Sequence, residues 1–358
     1  MDPRNFVPVA RAALIVLLLV CVAGPWLISA NAMAVLTDLF ILLTIALMWN
    51  LLAGYADIIS VGQHGFVGVG AYAFFGLTAL AHFNPFFAAP LAAAIATLIA
   101  IPAMAIIFRL RAAYLAVGAW VEAETLSLIA GKLPGFGGGS GASLPIPIVK
   151  AFGATVVGRV DAFYWLSLAL AALAFAATWA LLRSRIGLGL IAMRDNEEAA
   201  GSAGVNLTMS RIICFLWTAP FLGLAGVLIT LEKLRVAPTA SFSIADWTIF
   251  PIFAVVIGGI GSLEGPLIGA VVFVILRENL SGFGAWYPIA LGVASIVVMV
   301  KEPRGLWGLA RRLGIGELIP VATKRRKASP PKRDWAPSRK DVGASDGASL
   351  TASEGAPR

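Results

Sequence analysis

A long uninterrupted apolar run constrains this sequence more than any other feature. Between Ile58 and Phe108 the chain carries two histidines and no Asp, Glu, Lys or Arg, whereas about 20 apolar residues are enough for a helix to cross a bilayer. This run must therefore cross a membrane twice. A second run, Ala12 to Thr37, also exceeds that length. We expect its first helix to be retained, because it lacks the small-residue cleavage site of a removed signal peptide.

The composition also indicates an integral membrane protein. Of the 358 residues, 59% are hydrophobic and 13% are charged, whereas soluble domains carry roughly 25% charged residues. The net charge of +8 lies largely at helix ends and in the C-terminal tail, so we expect it to orient helices and expect no nucleic-acid partner. The two cysteines and two histidines lie in or beside apolar runs, where they predict neither a disulfide framework nor a metal cluster.

The hydrophobic pattern predicts an all-α integral membrane protein, a polytopic helical bundle of about ten transmembrane helices. The boundaries carry an error of several residues. The predicted crossings are residues 12–30, 34–53, 62–81, 88–108, 112–130, 161–182, 212–231, 247–262, 266–280 and 285–300.

The distribution of Lys and Arg predicts the orientation of these helices. With the N-terminus inside, the inner connections hold ten of them: Arg4, Arg11, Arg109, Arg111, Arg183, Arg185, Arg194, Arg211, Lys301 and Arg304. The outer connections hold five: Lys132, Lys150, Arg159, Lys233 and Arg235. This bias predicts that both termini are cytoplasmic.

The predicted topology divides the chain into three parts. Residues 1–11 form a cytoplasmic N-terminus and residues 12–308 the transmembrane domain, with a periplasmic loop over 131–161 and a cytoplasmic loop over 183–211. Residues 309–358 form a cytoplasmic tail. From about residue 324 its many Pro, Ser, Lys and Arg residues predict disorder and contact with membrane lipid.

Three connections within the transmembrane domain are candidates for function. The outer "GFGGGSGASLPIP" is too rich in Gly and Pro to be helical, which leaves open a plain linker or a backbone-lined pore entrance. The inner turn "GGIGSLEGP", Gly258 to Pro266, joins two short segments, and such broken pairs often line a path.

The third connection, "RDNEEAAGSAGVNLTMSR" from Arg194 to Arg211, is polar between two long apolar runs. Its "EAAGSAG" predicts a short amphipathic helix that a glycine ends. Small Ala and Gly side chains permit close approach of a cytoplasmic partner, although a solvated loop helix with no special role is the alternative.

The "EAAxxxG" pattern in a cytoplasmic loop resembles the coupling loop of permease subunits in binding-protein-dependent ABC importers. From about Thr44 to Gly308 the chain resembles, more narrowly, the LivM-type permeases of branched-chain amino acid importers. The stretches that carry this resemblance are, in order, "GYADIISVGQHGFVGVGAY" (Gly54 to Tyr72), "SRIGLGLIAMRDNEEAAGSAGVN" (Ser184 to Asn206), "VVIGGIGSLEGPLIGA" (Val255 to Ala270) and "PRGLWG" (Pro303 to Gly308).

The resemblance implies one half of a heterodimeric channel in the bacterial inner membrane. Its partners would be a LivH-type sister permease, two cytoplasmic ABC ATPase subunits and a periplasmic solute-binding protein. The chain has no GxxxxGK[ST] phosphate loop, so ATP would be bound by the partners, with no cofactor on this chain. A role in coupling to the ATPases would fall on Arg194, Asn196, Glu198, Ala199, Ala200 and Gly204.

The third predicted segment carries four closely spaced glycines, Gly62, Gly65, Gly68 and Gly70. Small residues at this spacing let helices pack backbone to backbone, and we favour that interpretation over contact with substrate. The family more usually has Gly, Gln and His at the positions of Asp57, Ile58 and Gln63, and His64 is displaced by one position.

Acidic residues within apolar segments are candidates for the substrate path, because a carboxylate facing lipid is costly. Asp38 and Asp246 fit a position at a membrane interface. Glu122 and Glu124 lie deeper and about 200° apart on a helix, so at most one faces a narrow path. We favour Glu124, which matches a Glu of the family, while a structural salt bridge or interhelical hydrogen bond stays open. The further path candidates are Tyr55, Ser60, Gly138, Gly139 and Ser140.

The sequence thus predicts a transport subunit, not an enzyme, that passes branched-chain or related amino acids. Urea or short amides are alternative solutes in the same family. An ion-coupled secondary transporter would need its own coupling-ion site built from membrane carboxylates and broken helices, and it would not require the cytoplasmic helix. An intramembrane enzyme would need a paired His, Ser/His or metal-ligand set, which the sequence lacks.

Overall fold

The computed structural model describes residues 21–110, 113–302 and 305–312. The predictions for residues 1–11, for most of the first crossing and for the tail beyond residue 312 lie outside these residues.

Helices make up nearly all of the described chain. In chain order they are α1 (Gly24–Leu27), α2 (Ala30–Tyr55), α3 (Gln63–Phe75), α4 (Pro85–Ile107), α5 (Ala113–Ala130), α6 (Ile146–Lys150), α7 (Val156–Arg183), α8 (Arg185–Asp195), α9 (Glu197–Ser202), α10 (Leu207–Lys233), α11 (Pro238–Ser241), α12 (Phe250–Gly258), α13 (Gly265–Leu280), α14 (Tyr287–Lys301) and α15 (Gly305–Arg312). Two π-helical segments, Gly76–Leu80 and Ala245–Ile249, follow α3 and precede α12, and 3-10 turns cover Gly138–Ser140 and Ser281–Trp286.

The helical membrane fold is confirmed. Each predicted crossing from 34–53 onward coincides with a helix to within a few residues. Within the described residues, the segments long and apolar enough to cross a membrane are Ala30–Tyr55, Pro85–Ile107, Val156–Arg183, Leu207–Lys233 and Pro238–Gly258. The total of ten crossings and the cytoplasmic position of the termini stay predictions.

Polar caps explain why some helices begin earlier than the hydrophobic pattern predicts. Thr155 Oγ1 accepts a hydrogen bond from the Gly158 N–H at 3.1 Å, so α7 begins at Val156. Asn206 Oδ1 accepts one from the Met209 N–H at 2.9 Å at the start of α10. Such caps satisfy N–H groups that a helix leaves unpaired in its first turn, and hydropathy does not detect them.

Glycines set the closest helix contacts in the core. A Cβ on Gly226 of α10 would lie 1.9 Å from the Val67 carbonyl oxygen of α3, and one on Gly70 would lie 2.2 Å from that of Gly223. The backbones of α3 and α10 therefore touch, as small residues allow in membrane bundles. Gly62 and Gly65 meet Ala119 and Ala123 of α5 in the same way, which confirms the packing interpretation for these glycines.

The chain between α2 and α3, residues 56–62, is not helical yet lies inside the bundle. The Trp49 Nε1–H donates to the Ser60 carbonyl oxygen at 2.9 Å, and Trp49 lies six residues before the end of α2, about 9 Å up the helix axis. The segment therefore runs back alongside α2. Irregular backbone is tolerated at membrane depth where protein buries it or where it lines a wet cavity.

A two-stranded antiparallel ladder, not predicted from the sequence, joins two connections near the C-terminal end of α10. Strand β1 (Ala142–Ser143) pairs with β2 (Arg235–Val236), with Ala142 opposite Val236. The ladder fixes the glycine-rich connection of residues 131–145 against the chain that leaves α10.

Candidate functional site

The connection between α8 and α10, predicted to be cytoplasmic and to hold a short helix, does hold one, α9. Polar groups define both ends of this helix. At the start, Asn196 Oδ1 accepts a hydrogen bond from the Ala199 N–H at 2.9 Å. At the end, Gly204 has φ +88°, and the Val205 N–H donates to the Ala200 carbonyl oxygen at 3.1 Å. This pairing is the Schellman arrangement that ends many helices at a glycine. A helix of six residues capped at both ends is a compact unit.

The two faces of α9 differ in exposure. Ala200 is only 3% exposed and belongs to the main hydrophobic core. Glu198, Ala199 and Gly204 are exposed. Among the described residues, no atom beyond the chain neighbours of Gly204 lies within 4 Å of a Cβ built on it. The exposed face is free to meet another protein, whereas Ala200 holds the helix against its own bundle.

Arg194, just before α9, points into this chain. Its Nη1–H donates to the Gly261 carbonyl oxygen at 2.8 Å, and its Nε–H donates to Asp195 Oδ1 at 3.1 Å. The guanidinium carbon lies 5.4 Å from the ring centre of Tyr55, a cation–π distance. Arg194 therefore fastens the approach to α9 onto the turn between α12 and α13 and onto the end of α2.

The same turn is held from the other side by Asn50 of α2, which is fully buried. Asn50 Oδ1 accepts from the Gly261 N–H and its Nδ2–H donates to the Ser262 carbonyl oxygen, both at 2.8 Å. Sequence reasoning missed Asn50. Its signal was present, because an amide inside an apolar crossing normally bonds to a neighbouring segment.

Arg211 makes a second link on the far side of α9. Its Nη2 lies 2.9 Å from Glu197 Oε2, and its Nε–H donates to the Ala56 carbonyl oxygen at 3.2 Å. Ala56 opens the irregular segment that leads into α3. The sequence indicated Arg211 as a flanking charge but assigned no role to it or to Glu197.

The residues proposed for the substrate path do not form one cluster. Tyr55 and Ser60 are each 2% exposed. The Tyr55 ring contacts Arg194 near the N-terminal end of α10, where Arg211 lies. The Gly138–Ser140 turn lies at the other end, where Arg235 donates to the Ser140 carbonyl oxygen. The 27 residues of α10 separate these groups by about 40 Å.

Glu124 lies on the outward face of α5. Its neighbour Ala123 is buried against Gly65 of α3, whereas Glu124 is exposed and Glu122 half-buried. Neither carboxylate has an ion pair or hydrogen bond among the described residues. The salt bridge considered for Glu124 is therefore not made within the described part of this chain.

The other two acidic residues of apolar segments have partners. Asp38 Oδ2 lies 2.9 Å from Arg277 Nη2, with Lys233 Nζ 4.0 Å from the other carboxylate oxygen. Asp246 Oδ2 accepts a hydrogen bond from Ser243 Oγ at 2.7 Å. Asp246 lies near the start of its π-helical segment, and the two basic partners of Asp38 lie in the last turns of α10 and α13.

Comparisons with known proteins agree with this architecture. The family described as "Branched-chain amino acid transport system / permease component" matches residues 31–300. The permease LivM of Salmonella typhimurium is 27% identical over 83% of this chain and 75% of its own length, and LivM of Escherichia coli is 26% identical over the same shares. The ribose import permease RbsC of Haemophilus influenzae is 30% identical over 35% of this chain and 41% of its own.

No solved structure matches the chain. The family match covers most of the sequence and includes α9, the irregular segment before α3 and the turn between α12 and α13. The chain belongs to the permease-component family of the branched-chain amino acid transport system.

Proposed function

We propose that this chain is the membrane-spanning permease subunit of an ABC importer in the bacterial inner membrane, where it translocates branched-chain or related amino acids. The observation that carries the proposal is α9, a capped helix with one exposed face whose flanking arginines bond to two irregular segments of the bundle. A self-contained carrier has no use for such a helix.

The bonds of Arg194 and Arg211 give α9 a mechanical role. A partner ATPase that binds the exposed face, including Glu198, Ala199 and Gly204, would displace the helix as a unit. Arg194 would transmit that displacement to Gly261 in the turn between α12 and α13. Arg211 would transmit it to Ala56 and thus to the start of α3. Packed elements of this kind respond by moving as bodies.

ATP is bound and hydrolysed by the two ATPase subunits in this proposal. The chain itself is a transport subunit and holds no cofactor. A periplasmic solute-binding protein delivers the solute to the outer end, near the β1–β2 ladder and the Gly138–Ser140 turn.

The exposed face of α5 supports the proposed LivH-type sister permease. A carboxylate turned to lipid near the bilayer centre is costly, and Glu124 has no partner within the described chain. A second permease that covers α5 would remove Glu124 from lipid. Its carboxylate would then lie at the interface between the two subunits, on the path or beside it.

The nature of the solute is the least constrained part of the proposal. The relatives that match most of the chain are named for branched-chain amino acids, whereas a ribose permease matches about a third of it. Urea or short amides stay alternative solutes, because the soluble binding protein contributes much of the selectivity.

Reconstitution tests the proposal directly. The permease is purified with its LivH-type sister and ATPases, placed in proteoliposomes and supplied with binding protein loaded with radiolabelled leucine. Uptake should require ATP on the ATPase side. Uptake that follows an ion gradient with the ATPases absent would instead identify an ion-coupled secondary transporter.

A further inference from the structure

Three residues of α3 carry polar atoms that have no hydrogen-bond partner among the described residues. They are both amide atoms of Gln63, Nε2 of His64 and the hydroxyl of Tyr72. The three residues are 1%, 0% and 4% exposed. Buried polar groups are nearly always hydrogen-bonded, since leaving one unpaired costs its full desolvation. Three such residues within ten positions of one helix call for an explanation.

His64, Gly68, Tyr72 and Gly76 recur at intervals of four and so lie along one side of the helix. The π-helical segment before α12 meets the lower end of this stripe. There, Thr248 Oγ1 accepts from the His64 N–H at 3.2 Å and lies 3.0 Å from His64 Nδ1. The second ring nitrogen, Nε2, is the one without a partner.

Two aromatic rings cover the rest of the stripe. A Cβ on Gly68 would lie 2.3 Å from the ring of Phe242, and one on Gly76 would lie 3.1 Å from the ring of Phe136. The Tyr72 ring has its centre 5.2 Å from that of Phe136 and 5.6 Å from that of Phe242. Glycine at position 68 therefore lets an aromatic ring lie directly on the helix backbone.

The covering rings come from connections, not from long helices. Phe136 belongs to the glycine-rich outer connection, and Phe242 follows the short helix α11. Neither ring is part of the α3–α10 glycine contact. Both could leave the stripe while α3 stays packed on α10.

We propose that this face of α3 is the wall of the translocation path in its closed state, with His64 and Tyr72 as its solute-binding side chains and Phe136 and Phe242 as its closure. The inference rests on the proposed function and deepens it.

The chemistry of the stripe fits a small zwitterion such as an α-amino acid. The Tyr72 hydroxyl offers one donor and one acceptor, and the unpaired ring nitrogen of His64 offers a further donor or acceptor. The start of α3 adds the positive end of a helix dipole, which favours a carboxylate. None of these solute-facing groups needs to carry a charge. Neutral contacts bind a passing solute weakly enough to release it, as conduction requires.

Removing an unpaired atom tests the proposal. Tyr72→Phe deletes only the hydroxyl and keeps the ring that packs between Phe136 and Phe242. Because this hydroxyl has no hydrogen-bond partner within the described residues, the thermal midpoint of the purified complex should hold or rise. Uptake of radiolabelled leucine by the reconstituted full complex should fall about fivefold or more, the factor that one lost hydrogen bond represents.

Trp179→Phe on α7 is the matched control, since its Nε1–H is also buried without a partner but lies on another helix. Its uptake should stay near wild type. Unchanged uptake in Tyr72→Phe would overturn the inference, as would uptake that falls together with the thermal midpoint or falls equally in the control. If the wild-type complex itself shows no ATP-driven leucine uptake, the proposed function fails and the inference fails with it.

Discussion

Replacing Arg211 with Met should uncouple ATP hydrolysis from transport while leaving the bundle assembled. Methionine keeps the unbranched apolar stem of the side chain and removes the guanidinium group, so the links to Glu197, to Asp57 and to the Ala56 carbonyl are all lost. The α9 helix would still be held by Arg194 and by the burial of Ala200. The perturbation is therefore confined to the connection between α9 and the segment that enters α3.

The size of the effect follows from the two shorter contacts of Arg211. Its third contact, with Asp57 Oδ2 at 4.0 Å, joins a side chain that is 68% exposed and adds little. The ion pair with Glu197 joins side chains that are 27% and 42% exposed, and such pairs contribute about 0.2 to 1 kcal/mol. The hydrogen bond to the Ala56 carbonyl comes from a charged donor, and this kind contributes about 1.5 to 3 kcal/mol. Glu197→Gln removes only the weaker contact and should have the smaller effect.

The assay is the number of ATP molecules hydrolysed for each leucine taken up in proteoliposomes. Arg211→Met should raise this ratio at least about tenfold, because a loss near 2 kcal/mol detaches the link in most molecules. Arg312→Met is the control. It removes an Arg–Glu contact of 2.8 Å at Glu302 that has no connection to α9. An unchanged ratio in Arg211→Met, with normal assembly, would refute the role of this link.

Three further predictions concern the faces and orientation of the chain. Ser202→Trp on the exposed side of α9 should leave the bundle folded but reduce co-purification of the ATPases. Ala200→Trp should instead lower the yield of folded permease, because that side chain is buried. Equal behaviour of the two variants would contradict the assigned faces of α9. Glu124→Gln should preserve membrane insertion and lower uptake; normal uptake would remove this carboxylate from the path, and a loss of about 3 to 5 kcal/mol in stability would instead indicate a buried pair with the sister permease. Cysteines introduced at Gly139 and Ser202 should be labelled from opposite sides of intact cells, and labelling of both from outside would exclude the predicted topology.

The sequence predicted α9 well because the signals for that helix are local. Asn196 can cap only the helical turn that follows it. Gly204 readily adopts the left-handed backbone conformation in which many helices end. The partner of Arg194 was not predictable in the same way. Gly261 lies 67 residues further along the chain, and only the packing of α2 against the inner turn brings it there.

The choice of Glu124 as a path residue shows a second limit. In a soluble protein the apolar stripe of a helix tells which face is inside. In a membrane bundle the lipid side is as apolar as the core, so the sequence of α5 does not fix its rotation. The small residues Ala119 and Ala123 were a better guide, since they mark the side that meets the glycines of α3.

The backbone contact between α3 and α10 has a consequence for large-scale mutagenesis of this permease. Where a single methyl group would overlap a carbonyl oxygen, as at Gly226 and Gly70, even alanine should abolish folding. In such experiments the most damaging substitutions should therefore fall at residues that never contact a solute. Residues that determine solute selectivity are better sought among substitutions that leave the amount of folded permease unchanged. There, a change in the transported molecule is not hidden by the loss of the transporter.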